Sequence, residues 1–125
     1  MTLTTTDRGD ARIVTVCNDR IDAALAIRFK DEMRDATSGG PARVVLDLSA
    51  VGFIDSSGLG AIVASMKQLE GSRRLDLAGL TPTVDKVFRL TRMDTVFSLY
   101  PSLEDALEDA ASDGVPKGAR SSGAG

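Results

Sequence analysis

The chain of 125 residues is long enough for one domain and short for two, and its 42% hydrophobic and 26% charged residues are ordinary for a soluble globular protein. A formal net charge of -3, with the basic residues scattered, argues against binding nucleic acid by neutralising its phosphates. Histidine is absent and Cys17 is the sole cysteine, which excludes a Ser-His-Asp or Cys-His centre, a zinc site built on His or Cys, and an internal disulfide.

The opening MTLTTTDRGD lacks the charged-then-apolar pattern of a signal peptide, and no apolar run approaches membrane-spanning length. A cytoplasmic protein with no membrane contact is the expectation. Since only 4% of the residues are aromatic, the core must be built from Val, Ile, Leu, Met and Ala.

Ile13, Val14 and Val16 mark a first strand, with a weaker edge candidate over Leu3 to Thr6 before it. Asp22 then caps a helix in which Leu25, Phe29, Met33 and Ala36 recur near helical spacing, and Gly39-Gly40-Pro41 stops it. Arg43 to Leu48, RVVLDL, has the nearly continuous apolar run of a strand buried on both faces of a parallel sheet. The loop SAVGFIDSS leads into a second helix, where Leu59, Ile62, Val63, Met66 and Leu69 form one apolar stripe that Gly71 ends.

Leu75 and Leu77 alternate in a third core strand. Thr81-Pro82 is a cap followed by proline at the first helical position, with Val84, Val87 and Phe88 as the buried stripe. Ser102 opens a last helix through Ser-x-x-Asp; Leu103, Ala106, Leu107 and Ala110 face inward, and Glu104, Asp105, Glu108 and Asp109 stay wet. The alternation of strands and helices predicts an α/β fold: one small mixed, mainly parallel β-sheet with right-handed crossovers and about four helices. The domain is expected to fill residues 1–113, and the Gly, Ser, Pro and Ala of 114–125 to form a disordered tail.

Chemistry concentrates in FIDSSGLGAIV, Phe53 to Val63, where a buried strand and its loop run into a helix. Asp55 or Ser56 can cap that helix, and Gly58 and Gly60 keep its first turn slim enough for another chain to approach the backbone. Gly58-Leu59-Gly60 is not a dinucleotide fingerprint, because Val63 stands where the third small residue belongs. There is no Gly-Lys-Ser/Thr phosphate loop, and Ile54 occupies the place of the glycine in a nucleophile elbow. As a phosphate acceptor Ser56 makes better sense. A phosphate adds about 1.5 to 2 negative charges that a helix start tolerates, whereas a partner pressed on the same spot does not unless it offers cations. On local chemistry alone, a plain N-cap remains the simpler account of Ser-Ser-Gly.

VVLDLSAVGFIDSSGLGAIVASMKQL resembles the signature of STAS domains, specifically the bacterial anti-sigma-factor antagonists. The resemblance extends over roughly residues 3 to 112, and SLEDAL from Ser102 is similar to the family's usual final helix. It implies a regulatory module without enzymatic activity or cofactor. In the implied cycle, the unphosphorylated antagonist binds an anti-sigma factor that is also an ATP-dependent serine kinase, which frees the sigma factor. The kinase ends the interaction by phosphorylating the serine after the motif aspartate, here Ser56, and a metal-dependent serine phosphatase restores it. Carried over by the same resemblance, Asp55 is the acidic neighbour, Ser57, Gly58 and Leu59 form the docking turn, and Asp22 closes a turn beside the phosphorylation loop. Two positions depart from the family pattern: that turn has Asp19 in place of glycine, and Arg92 stands at a usual glycine before the last strand.

Within the same fold, the alternative is a STAS subunit that binds its partner constitutively, as in stressosome or transporter-associated assemblies. A different class, a small enzyme or nucleotide-binding domain, would use Asp47, Asp55 and Ser56 as an acid-base or metal group. Cys17, at the end of an apolar strand, is expected to be a buried, inert thiol.

Overall fold

The computed structural model describes residues 2–69 and 73–111. Gly71 as a helix stop, the boundary at Asp113 and the tail 114–125 lie outside the described residues. The elements run β1 (Leu3–Arg8), β2 (Ala11–Val16), β3 (Arg20–Ile21), α1 (Ala23–Ala36), β4 (Arg43–Asp47), β5 (Phe53–Ile54), α2 (Ser56–Gln68), β6 (Arg74–Ala78), α3 (Pro82–Leu90), a 3-10 turn (Met93–Thr95), β7 (Leu99–Tyr100) and α4 (Leu103–Ala111).

Five strands form the main sheet in the order β1-β2-β4-β6-β7. The β1 edge is antiparallel to β2, and every other neighbouring pair is parallel. This is the mixed, mainly parallel α/β sheet with four helices that the alternation predicts.

Because side chains alternate along a strand, parallel partners in register share a face. Val14 stands beside Leu46 and Leu46 beside Leu77, and this face packs against Phe29 and Met33 of α1, Ile62 of α2 and Val84 and Phe88 of α3. The opposite face carries Ala11, Val45, Ala78 and Tyr100, covered by Ala106 of α4. Ser102 begins α4 as expected, its hydroxyl accepting the Asp105 N–H at 3.1 Å. Thr81 precedes α3, but its hydroxyl donates to the Val51 carbonyl at 2.8 Å and so braces a loop without capping the helix.

Between Leu75 and Leu77, Asp76 points to the α4 face and is only 2% exposed. Arg43 Nε donates to its Oδ2 at 2.8 Å, and Arg43 Nη1 donates to the Ala106 carbonyl at 2.8 Å. The pair therefore ties β4, β6 and α4 together.

Cys17 is a correction: it is exposed. The β1–β2 register runs to Val16 opposite Leu3, the Cys17 N–H adds a bond to the Thr2 carbonyl at 2.9 Å, and alternation turns Val16 into the main core and Cys17 to the other face. Arg92 adopts the left-handed region at φ 63°, which explains why glycine suits that position.

Candidate functional site

Within the span expected to be loop, Phe53–Ile54 forms a strand parallel to β3, with Arg20 opposite Phe53 and Ile21 opposite Ile54. Gly52 N–H donates to the Asp19 carbonyl at 2.8 Å below this pair, and Asp55 N–H to the Ile21 carbonyl at 3.4 Å above it. The small sheet makes its two strands end together. As a result, α1 and α2 begin side by side.

Each helix has an aspartate at its start. Asp22 Oδ1 accepts the Ala24 N–H at 3.1 Å and caps α1. Asp55 caps α2, its Oδ1 accepting the Gly58 N–H at 2.9 Å. The second oxygen of Asp55 crosses to the neighbouring helix and accepts the Ala23 N–H at 3.1 Å. Of the two cap candidates, Asp55 is the one used, and Ser56 becomes the first residue of α2. Both Asp22 and Asp55 are half-buried.

Ser56 and Ser57 are exposed, and the Ser56 hydroxyl makes no hydrogen bond with a described residue. Leu59 is half-buried and packs on the main core. The two glycines of the turn have different roles. Gly58 is buried, and a Cβ there would collide with the Ile21 carbonyl oxygen and lie 2.9 Å from Ile54 Cγ1. Its slimness lets α2 seat on β3. Gly60 is exposed, with nothing within 4 Å of an added Cβ.

The residues foreseen for the site thus divide by placement. Asp22, Asp55, Ser56 and Ser57 come together at the twin helix start, Gly58 supports it from beneath, and Leu59 anchors it to the core. Asp47 does not act with Asp55: its Oδ1 accepts the Ser49 N–H at 3.0 Å, and it lines a recess with Gly79 and Ser102. Both carboxylates therefore have backbone donors of their own. Among the described residues, no group of three or more His, Cys, Asp or Glu side chains is placed to hold a metal. Nor is any described helix long and apolar enough to cross a membrane.

Three further exposed residues, on β3, β5 and the first turns of α1, are not singled out by the sequence. Phe53 is 45% exposed, and the Arg20 guanidinium stands 5.6 Å from its ring centroid. Ile27 is 69% exposed, one turn after Ala23 and on the same helix face. The sequence does carry one signal: Phe53 is one of only five aromatic residues, and it lies between Gly52 and the motif aspartate.

This chain is 25% identical over 107 residues to the anti-sigma-F factor antagonist RsfB of Mycobacterium tuberculosis, covering 86% of this chain and 87% of that protein. The crystal structure of an anti-sigma factor antagonist from Mycobacterium paratuberculosis superposes with a TM-score of 0.77 at 30% identity, covering 86% of this chain and 92% of that one. The Bacillus cell fate determinant SpoIIAA in its phosphorylated form shares the fold, with a TM-score of 0.62 at 19% identity over 87% of this chain and 99% of that one. The STAS domain family model matches residues 2–106, nearly all of the described structure, and the chain belongs to the STAS domain family.

Proposed function

We propose that the protein is an anti-sigma-factor antagonist in a partner-switching pathway. Its unphosphorylated form binds an anti-sigma factor with serine kinase activity and releases the sigma factor. Phosphorylation of Ser56 ends the binding, and a metal-dependent serine phosphatase reverses it, all in the cytoplasm. The observation that carries this reading is the exposed Ser56 hydroxyl, placed first in α2 while Asp55 takes over the capping. A hydroxyl with no capping bond is available to a kinase, and its modification leaves the helix start intact. The relatives named as antagonists of anti-sigma factors supply the partner class.

The mechanism is electrostatic. A phosphate on Ser56 stands next to the Asp55 carboxylate, on a surface that also holds Phe53 and Ser57. Its charge must lose water whenever a partner covers that surface, which opposes docking. The start of α2 favours the same charge, so the fold persists while binding is lost. The test is incubation with candidate cognate kinases and labelled ATP, followed by mapping of the phosphosite. The proposal expects one labelled residue, Ser56, no label in Ser56→Ala, and retained kinase binding by that variant. Label mapped to Ser57 would reject the assignment.

A further inference from the structure

The register of β3 against β5 sets a cation, Arg20, opposite Phe53, three residues before the serine. With Arg20 opposite Phe53 and Ile21 opposite Ile54, the chain continues with Asp22 and Ala23 alongside Asp55 and Ser56. The Ala23 N–H bond to Asp55 fixes that relation. Arg20 does not reach away from the helix starts: its Nη1 lies 3.6 Å from Asp22 Oδ2, so the side chain points forward along β3.

Reach is sufficient. Ser56 lies three steps beyond the residue opposite Arg20, or about 10 Å at strand spacing. An extended arginine and a phosphoserine side chain together span about that distance. The present partner of Arg20 is also weakly held. At 3.6 Å the ion pair is long, the Arg20 side chain is 56% exposed, and Asp22 Oδ1 is already engaged by the Ala24 N–H. A phosphate offers three strong acceptor oxygens and about twice the charge of a carboxylate, in a geometry that suits the guanidinium fork.

We propose that Arg20 is the in-chain counter-ion of phosphorylated Ser56, leaving Asp22 to close on the phosphate. This rests on the reading of Ser56 as the phosphate acceptor. It adds a second arm to the switch. Before phosphorylation, a cation stacked on the exposed Phe53 is presented to the partner; afterwards the same cation is withdrawn as the negative charge appears. A partner carboxylate that pairs with Arg20 is then left without its match.

The test installs phosphoserine at position 56 during translation, so that it does not depend on finding the kinase. The second ionisation of the phosphate is followed by phosphorus NMR in the otherwise wild-type protein, in Arg20→Gln and in Arg20→Lys. Glutamine keeps a stem that packs on Phe53 but removes the charge. The proposal expects the phosphate to ionise at lower pH with Arg20 than with Gln, Lys to fall between, and the difference to shrink as salt is raised toward 1 M. Circular dichroism checks that each variant is folded. Coincident titrations in wild type and Arg20→Gln, both folded, would overturn it. Failure of the unmodified protein to be labelled at Ser56 by any cognate kinase would reject the phosphoacceptor reading instead, and the titration would still decide whether Arg20 meets a phosphate there.

Discussion

The Asp55 carboxylate accepts the N–H of Ala23, the first residue of the neighbouring helix, at 3.1 Å while capping its own helix at Gly58. One side chain therefore sets two helix starts relative to each other, and Ser56 follows it directly. A cap alone is typically worth about 1 kcal/mol, and the cross-helix bond adds a second charge-assisted contact. Asp55→Ala should lower stability by about 2 kcal/mol, and Asp55→Asn by about half of that, because an amide has one acceptor oxygen for two donors. Urea denaturation measures both. A negligible loss in Asp55→Asn would mean that the bond to Ala23 contributes nothing.

Gly58 and Gly60 make a matched pair for the same substitution. A methyl at Gly58 meets the Ile21 backbone, which cannot move without shifting β3, and such overpacking costs about 1 to 3 kcal/mol. A methyl at Gly60 meets open space and replaces a poor helix former with the best one, a gain of up to about 1 kcal/mol. Thermal melts should therefore move in opposite directions for Gly58→Ala and Gly60→Ala. A stabilised Gly60→Ala that no longer bound the kinase would assign Gly60 to the docking surface, whereas undiminished binding would exclude it.

Much of this arrangement is legible in the chain itself. Strand β4 declares itself as an apolar run, β2 through Ile13, Val14 and Val16, and β6 through the alternation of Leu75 and Leu77, while α1 and α2 do so because their apolar residues recur at helical spacing. Asp22, Asp55 and Ser56 stand out as a polar cluster at helix starts. The β3–β5 pair does not, since two-residue strands show no alternation and their partners lie more than 30 positions apart in sequence. Arg20 and Phe53 became visible only once that pairing was known. Cys17 defeats the sequence reading because an apolar run does not tell which face its last residue takes. The partnership of Arg43 with Asp76 is hidden for a related reason: an aspartate between two leucines looks like solvent-facing alternation until α4 covers that face.

That pair yields a prediction about the fold alone. Removing the carboxylate in Asp76→Ala leaves the Arg43 charge buried, and its Nη2 already finds no hydrogen-bond partner among the described residues. Breaking a buried pair from one side typically costs about 3 to 5 kcal/mol, whereas replacing both members with apolar residues is often neutral. Asp76→Ala should therefore be severely destabilised in urea. The double variant Asp76→Leu, Arg43→Met should recover most of that loss. A mild single-variant effect would show that water reaches the Arg43 guanidinium, because Arg74, whose Nη2 lies 3.2 Å from Asp76, is a second cation and cannot replace the carboxylate.

The sign of the proposed switch is open to test with Ser56→Asp. If Ser56 lies inside the docking surface, a fixed charge there must be desolvated as the partner arrives. An unmatched buried charge costs about 3 to 5 kcal/mol, which is from about a hundred-fold to several thousand-fold in affinity. Aspartate carries less charge than a phosphate and is shorter, too short to draw Arg20 from Asp22, so the loss should fall at the mild end. The first position of α2 tolerates a carboxylate, so the fold should be unchanged by circular dichroism. Calorimetric titration of the kinase with wild type and variant gives the comparison. Equal affinities with intact folds would put Ser56 outside the interface and remove the electrostatic mechanism. Tighter binding by the variant would mean that the partner reads the charged form, and that phosphorylation promotes the complex instead of ending it.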